Sequence, residues 1–173
     1  ILSAITHEFR RHKSLADEAI AQLEGELLFA RPAAHANSAA IVIKHLSGNL
    51  RSRWTDFLNS DGEKPGRDRD GEFVLGPDDT RDALLAGWDE GWRCVFDALA
   101  GLTEADFSRT ITIRGEPHTV TAAVLRGLTH AAYHTGQLLY LARLLRPDSA
   151  WLTIPPGQSN KPRPGYLSQS PRS

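Results

Sequence analysis

The sequence predicts an all-α protein: a four-helix bundle with a long crossover between helices 2 and 3 and a small β-hairpin between helices 3 and 4. Three observations predict it. Four segments repeat apolar residues at three- and four-residue steps, the period of a helix with one buried face. The alternation typical of strands is confined to one short stretch. A polar run rich in Gly and Pro, from Asp61 to about Pro77, separates the second helical segment from the third. It is longer than the usual ~2–8-residue helix connection.

In the first segment Leu2, Ile5, Phe9, Ala16, Ile20, Leu23 and Leu27 form one stripe, on a helix expected to run about seven turns. His12 falls on that stripe and is expected to be a hydrogen-bonded core residue. The second helix is expected to start after Asn37-Ser38, either of which can cap it by accepting a free backbone N–H. Ile43, Leu46, Leu50, Trp54 and Phe57 make its stripe, and its end is expected near Asn59. A helix of ~20 residues is ~30 Å long, and ~9 extended residues run back along it. The Asp61–Pro77 loop can therefore join two parallel helices, and a loop of that length is a natural wall for a site.

The third helix is expected to open at Thr80, with Leu84, Trp88, Trp92, Val95 and Leu99 inward. Gly87 and Gly91 on it could admit a close neighbour. Leu102 to Asp106 reads as a capped single turn. Thr110-Ile111-Thr112-Ile113 then alternates as a strand does, and Gly115-Glu116-Pro117 reads as the turn of a hairpin. The fourth helix is expected from about Thr119 to Leu145, with Val120, Val124, Leu128, Ala131, Leu138, Ala142 and Leu145 inward and Pro147 beyond its end. Residues 1–150 thus make one bundle domain. Residues 151–173 form an extended tail, with Pro155, Pro156, Pro162, Pro164 and Pro171 blocking a regular helix.

Composition removes several function classes. The 20 basic and 21 acidic residues leave a net charge of −1, so no domain-wide positive field exists to hold nucleic acid. No apolar run approaches the ~18 residues that span a bilayer. The single cysteine, Cys94, excludes an intrachain disulfide, CxxC redox chemistry and Cys-rich zinc sites. With no signal-peptide pattern at the start, a cytoplasmic location is expected. The sequence contains no Met, an initiator included, so the natural chain is expected to begin upstream.

The chemistry points to histidines. His130 and His134 stand at i and i+4, one turn apart on one face of the fourth helix. That spacing lets two imidazoles converge on one ion. The Glu of an HExxH zincin motif is missing, so that type of general base is absent. Bundles build metal sites from side chains on facing helices, and His45, on the flank of the second helix's stripe, is the best third ligand. Three neutral imidazoles suit Zn, Ni or Fe and leave a position for water or substrate. On its own an HxxxH pair is common, and core or surface histidines are the default. His7, His35 and His118 receive no role. Asn49, Arg53, Tyr133 and Gln137 follow from helical geometry as groups that could orient imidazoles or hold substrate. For Tyr133, packing in the core with a satisfied hydroxyl is the plainer expectation, and for Arg53 a surface salt bridge is the alternative.

Four segments carry a family resemblance: Ile43-Lys44-His45-Leu46-Ser47-Gly48-Asn49-Leu50-Arg51-Ser52-Arg53-Trp54; Asp61-Gly62-Glu63-Lys64-Pro65; Arg114-Gly115-Glu116-Pro117-His118-Thr119-Val120; and His130-Ala131-Ala132-Tyr133-His134-Thr135-Gly136-Gln137. With Ile154-Pro155-Pro156-Gly157-Gln158-Ser159 in the tail, they resemble the DinB/YfiT-like superfamily, and more narrowly its DUF1572 branch. The resemblance implies a four-helix bundle with a long crossover between helices two and three, and a metal held by one histidine of helix two and two of helix four. The matching positions are His45, His130 and His134. Relatives in that superfamily include bacillithiol- and mycothiol-dependent enzymes, and many members are homodimers.

Three functions follow as expectations. The first is a metal-dependent S-transferase in which a low-molecular-weight thiol such as bacillithiol or mycothiol attacks a small-molecule electrophile, with Arg53 or Asn49 positioning the anionic thiol. The second is a metal-dependent hydrolase, which needs Asp61 or Glu63 to fold over the site as general base. The third is a non-enzymatic, metal-binding stress-response protein.

Overall fold

A computed structural model describes residues 1–160. Four helices carry the chain: α1 (Leu2–Gln22), α2 (Ala39–Trp54), α3 (Arg81–Ala100) and α4 (Val120–Leu145). Two strands, β1 (Thr110–Ile113) and β2 (Glu116–Thr119), pair antiparallel between α3 and α4. The part of the expected tail from residue 161 onward lies outside the described residues.

Local chemistry sets the helix starts. Ser38 Oγ accepts the Ile41 N–H at 3.3 Å, Thr80 Oγ1 that of Ala83 at 3.2 Å, and Thr119 Oγ1 that of Ala122 at 3.1 Å. Each satisfies a donor with no partner inside its helix. Two helices end earlier than their apolar stripes suggest. α1 stops at Gln22, because Gly25 takes a left-handed φ of 53° and opens a separate 3-10 turn, Gly25–Leu28. α2 stops at Trp54, because Asp56 takes φ 48° and begins a new turn that accepts the Asn59 N–H at 3.2 Å. Leu23, Leu28 and Phe57 stay buried beyond those ends, so the stripe continues after the helix has ended.

Side-chain contacts fix the directions of the helices. Lys44 meets Asp79, Arg51 meets Glu90, and Thr55 meets Cys94, so α2 and α3 run parallel. The Thr135 hydroxyl donates to the His12 carbonyl and Arg146 donates to that of Gln22, so α1 and α4 are parallel as well. Arg81 reaches the Leu23 carbonyl while Lys13 reaches Asp89, which makes α1 and α3 antiparallel. The aromatic core sits where these helices meet. Phe9 of α1 packs edge-on against Trp54 of α2 at 5.3 Å and Trp92 of α3 at 6.4 Å between ring centroids.

Gly91 does what a close approach requires. A Cβ there would lie 3.0 Å from the Ser47 carbonyl oxygen and 3.2 Å from its Cα. Gly87 has no such neighbour among the described residues.

The hairpin turn falls one residue earlier than expected. Arg114 (φ 58°) and Gly115 (φ 73°) form it, and Pro117 lies in β2 opposite Thr112. Two successive left-handed residues match the twist of a tight hairpin. The crossover loop holds this turn: the Asp61 carboxylate accepts the N–H groups of Arg114 at 2.8 Å and Gly115 at 2.7 Å, and Gly62 N–H donates to the Thr112 carbonyl.

Candidate metal centre

His45 projects from α2 toward α4, where helical spacing stacks His130 and His134 one turn apart. The ring centroids lie 5.0 Å (His45–His134), 5.5 Å (His45–His130) and 4.6 Å (His130–His134) apart. One potential ligand atom from each histidine lies within 4.8 Å of the other two. The His130 and His134 Nε2 atoms are 3.2 Å apart. Two nitrogens each ~2.0–2.1 Å from a tetrahedral ion would be about 3.3 Å apart. These are the only three or more His, Cys, Asp or Glu residues so placed among the described residues.

Two of the three Nδ1 atoms have partners of their own. His45 Nδ1 lies 2.8 Å from Glu72 Oε2, and His134 Nδ1 lies 2.7 Å from Gln137 Oε1. With Nδ1–H donating in both rings, each Nε2 lone pair is left free for an ion. His130 Nδ1 is buried without a hydrogen-bond partner among the described residues.

Burial, then the neighbouring His134 and His45, lower the pKa of His130 to about 3. Burial also lowers that of His134 to about 4, against the opposing pull of Gln137. Both rings are therefore neutral near pH 7, the form that ligates. Donor type, tautomer, charge and spacing all fit a divalent cation.

Glu72 was missed by sequence reasoning. The crossover loop delivers it through a 3-10 turn, Gly71–Phe73, which also lays the Phe73 ring against His45 at 4.6 Å. Arg67 grips the same carboxylate with two bonds, Nε at 2.7 Å and Nη2 at 2.8 Å. Burial pushes the Glu72 carboxyl up, but Arg67 and His45 outweigh it and hold it below its ordinary value. The trace in the sequence is Gly48, one turn after His45: a Cβ there would collide with the Glu72 carboxylate.

The triad opens onto a cavity of about 670 Å³, within the range of small-molecule sites. Asn49, Arg53, Tyr133 and Gln137 all line it. Tyr133 departs from the core role expected of it. It is 52% exposed and stands edge-on to His130 at the rim, because its position on α4 turns it away from the apolar stripe. Arg53 is no surface salt bridge: it is largely buried, donates to Glu63 at 3.0 Å and walls the cavity. His12 is half-buried on α1, with its Nδ1 unpartnered among the described residues rather than hydrogen-bonded.

The two loop carboxylates considered as general bases serve elsewhere. Asp61 holds the hairpin turn and Glu63 pairs with Arg53, Arg67 and Arg114; neither lines the cavity.

A mostly helical protein with three converging histidines at one end of an open cavity is the class that fold and site define. The chain belongs to the family described as a protein of unknown function (DUF1572), whose model matches residues 1–158. No curated protein matches it. No helix of the described residues is long and apolar enough to cross a membrane.

Proposed function

We propose that the chain is a metal-dependent S-transferase of the DinB/YfiT-like superfamily, using a low-molecular-weight thiol such as bacillithiol or mycothiol. In this reading the four helices form an up-down-down-up bundle, residues 1–150, followed by a Pro-rich tail. The protein would work as a cytoplasmic homodimer. The observation that carries the reading is the three-histidine cluster open to a cavity lined by no carboxylate among the described residues.

A divalent cation such as Zn, Ni or Fe, when bound, supplies the charge that makes a coordinating thiol lose its proton. The chain's own residues do the rest. Glu72 and Gln137 fix the ring orientations and tautomers of His45 and His134. Arg67 keeps Glu72 ionised and in place. Asn49 and Arg53 hold the non-reacting part of the thiol along the cavity wall. In the reaction the thiol sulfur forms a bond to an electrophilic carbon and the thiol proton passes to solvent. The leaving group, a halide for example, departs with its bonding pair.

A hydrolase reading loses its general base with Asp61 and Glu63 engaged elsewhere. A purely structural site would be closed by a fourth protein ligand, and no fourth His, Cys, Asp or Glu joins the cluster among the described residues.

Two measurements test the proposal. Elemental analysis should find about one metal per wild-type chain and almost none in His45→Ala; equal contents would remove the ligand assignment. Metal-loaded protein should then consume bacillithiol or mycothiol in the presence of an aryl halide or epoxide. Failure with every common low-molecular-weight thiol would remove the transferase.

A further inference from the structure

The wall of the cavity is far more basic than the chain. The chain as a whole has a net charge of −1. Yet Arg53, Arg67, Arg69, Arg114 and Arg126 line this one cavity, and no Asp, Glu or Lys does among the described residues.

Three carboxylates around the wall neutralise only part of that charge, and one of them, the exposed Asp70, meets Arg69 at 3.6 Å. Glu72 is spent on Arg67 and His45. Glu63 is shared by three guanidinium groups: Arg53 at 3.0 Å, Arg114 at 2.9 Å and Arg67 at 3.2 Å. Arg126 has no carboxylate partner among the described residues, and its charge bears on Arg53.

Two buried donors in the same wall also lack partners among the described residues: Arg53 Nη1 and Trp54 Nε1. Both are donors only, so what satisfies them must be an acceptor. Fixed guanidinium forks beside unpaired N–H groups are the chemistry that recognises an oxyanion.

The arginines also stand in a consistent place. His45 lies against His130 and His134, and Trp54 lies against Gly127, so α2 and α4 run antiparallel. Arg53 follows His45 by eight residues, a rise of about 12 Å, and Arg126 precedes His130 by four, about 6 Å. Both steps lead toward the same end of the cavity, where the hairpin adds Ile111, Ile113 and Arg114.

We propose that Arg53, Trp54, Arg114 and Arg126 form an oxyanion subsite at the hairpin end of the cavity. It takes a carboxylate or phosphate group of a ligand whose reacting end lies roughly 6–12 Å away at the histidines. The subsite deepens the thiol-transfer reading by giving its ligand an anionic anchor, yet it binds its anion whether or not a metal is present.

The test is calorimetric titration of the full chain with succinate and, separately, inorganic phosphate, before and after chelator treatment. Arg126→Glu is the main variant, because Arg126 is an exposed helix residue whose replacement leaves the core intact. Arg93→Glu, exposed on α3 outside the cavity, makes the same change in net charge. At least one anion should bind wild type and Arg93→Glu alike and bind Arg126→Glu at least about tenfold more weakly. Preference for succinate assigns a carboxylate ligand and preference for phosphate a phosphorylated one. Equal affinity in Arg126→Glu and wild type overturns the subsite, as does binding of neither anion. Binding that disappears with the metal and ignores Arg126→Glu also overturns it, since the anion then sits at the histidines. Loss of metal binding in His45→Ala leaves this titration unchanged, so the two proposals fail separately.

Discussion

The helix α2 has two seams of opposite character. Toward α3 it is closed: Gly91 lets the α3 backbone approach until a Cβ would meet the Ser47 carbonyl at 3.0 Å and Leu50 Cβ at 3.3 Å. Toward α4 it is held open by His45, Asn49 and Arg53, which face a cavity instead of a helix. Only near its end does the second seam shut, where Trp54 packs into the space left by Gly127. The difference assigns separate tasks to two faces of one helix. The closed seam buries Leu46 and Leu50 completely and supplies stability. The open seam holds neutral imidazoles, unpaired donors and arginines, none of which these helices need in order to pack.

The largest effect should come from opening the closed seam. Leu50→Ala removes a fully buried side chain and leaves a cavity beside Gly91, at a cost of about 2–5 kcal/mol. Urea unfolding measures it, and the folded fraction should still bind metal at wild-type stoichiometry. A mutant of unchanged stability would show that the two faces are not divided in this way. Next comes the carboxylate behind His45. Glu72→Ala should weaken metal affinity by roughly 10–100-fold through loss of the His45 orientation. Gly48→Ala should reproduce that loss, because its methyl group needs the space of the carboxylate. Competition with a chromogenic chelator reads both, and wild-type affinity in both variants would reduce Glu72 to a partner of Arg67 alone. Gly91→Ala should cost about 1–3 kcal/mol by overpacking the closed seam, with metal affinity unchanged.

The closed seam was more legible in the sequence than the open one. Apolar residues at helical spacing report burial directly, so Leu46, Leu50, Trp88 and Trp92 could be placed inside from their periods alone. Ser38, Thr80 and Thr119 carried the helix starts in their side-chain chemistry. The long crossover was legible from length and composition, and the parallel pairing of α2 and α3 agrees with it. His130 and His134 were legible because one helical turn separates them. Glu72 was not, because it meets His45 across 27 residues of chain through a loop with no period to read. Arg126 escaped notice for a related reason: a polar residue on an exposed helical face looks like solvated surface until the facing element is known. The early ends of α1 and α2 rest on the left-handed residues Gly25 and Asp56, which override stripes that continue past them.

The smallest effect belongs to the wall that closes the open seam, and it depends on pH. The Asp61 carboxylate accepts backbone N–H groups of Glu63, Gly115 and Arg114, and these bonds hold its pKa well below the usual carboxylate range. A carboxyl depressed in the folded state stabilises that state above its unfolded pKa of ~3.9. The contribution is lost as pH falls through the lower, folded value. The Arg114 and Gly115 amide resonances should therefore hold their positions from neutral pH to about pH 4 and move only at still lower pH. In Asp61→Asn they should begin at shifted positions and show no such step. The melting temperature should change little, since the hairpin turn is exposed and α2 keeps its packing against α3. A midpoint at the ordinary carboxylate value would show that Asp61 does not hold the turn, and the hairpin would then be free to move relative to the histidines.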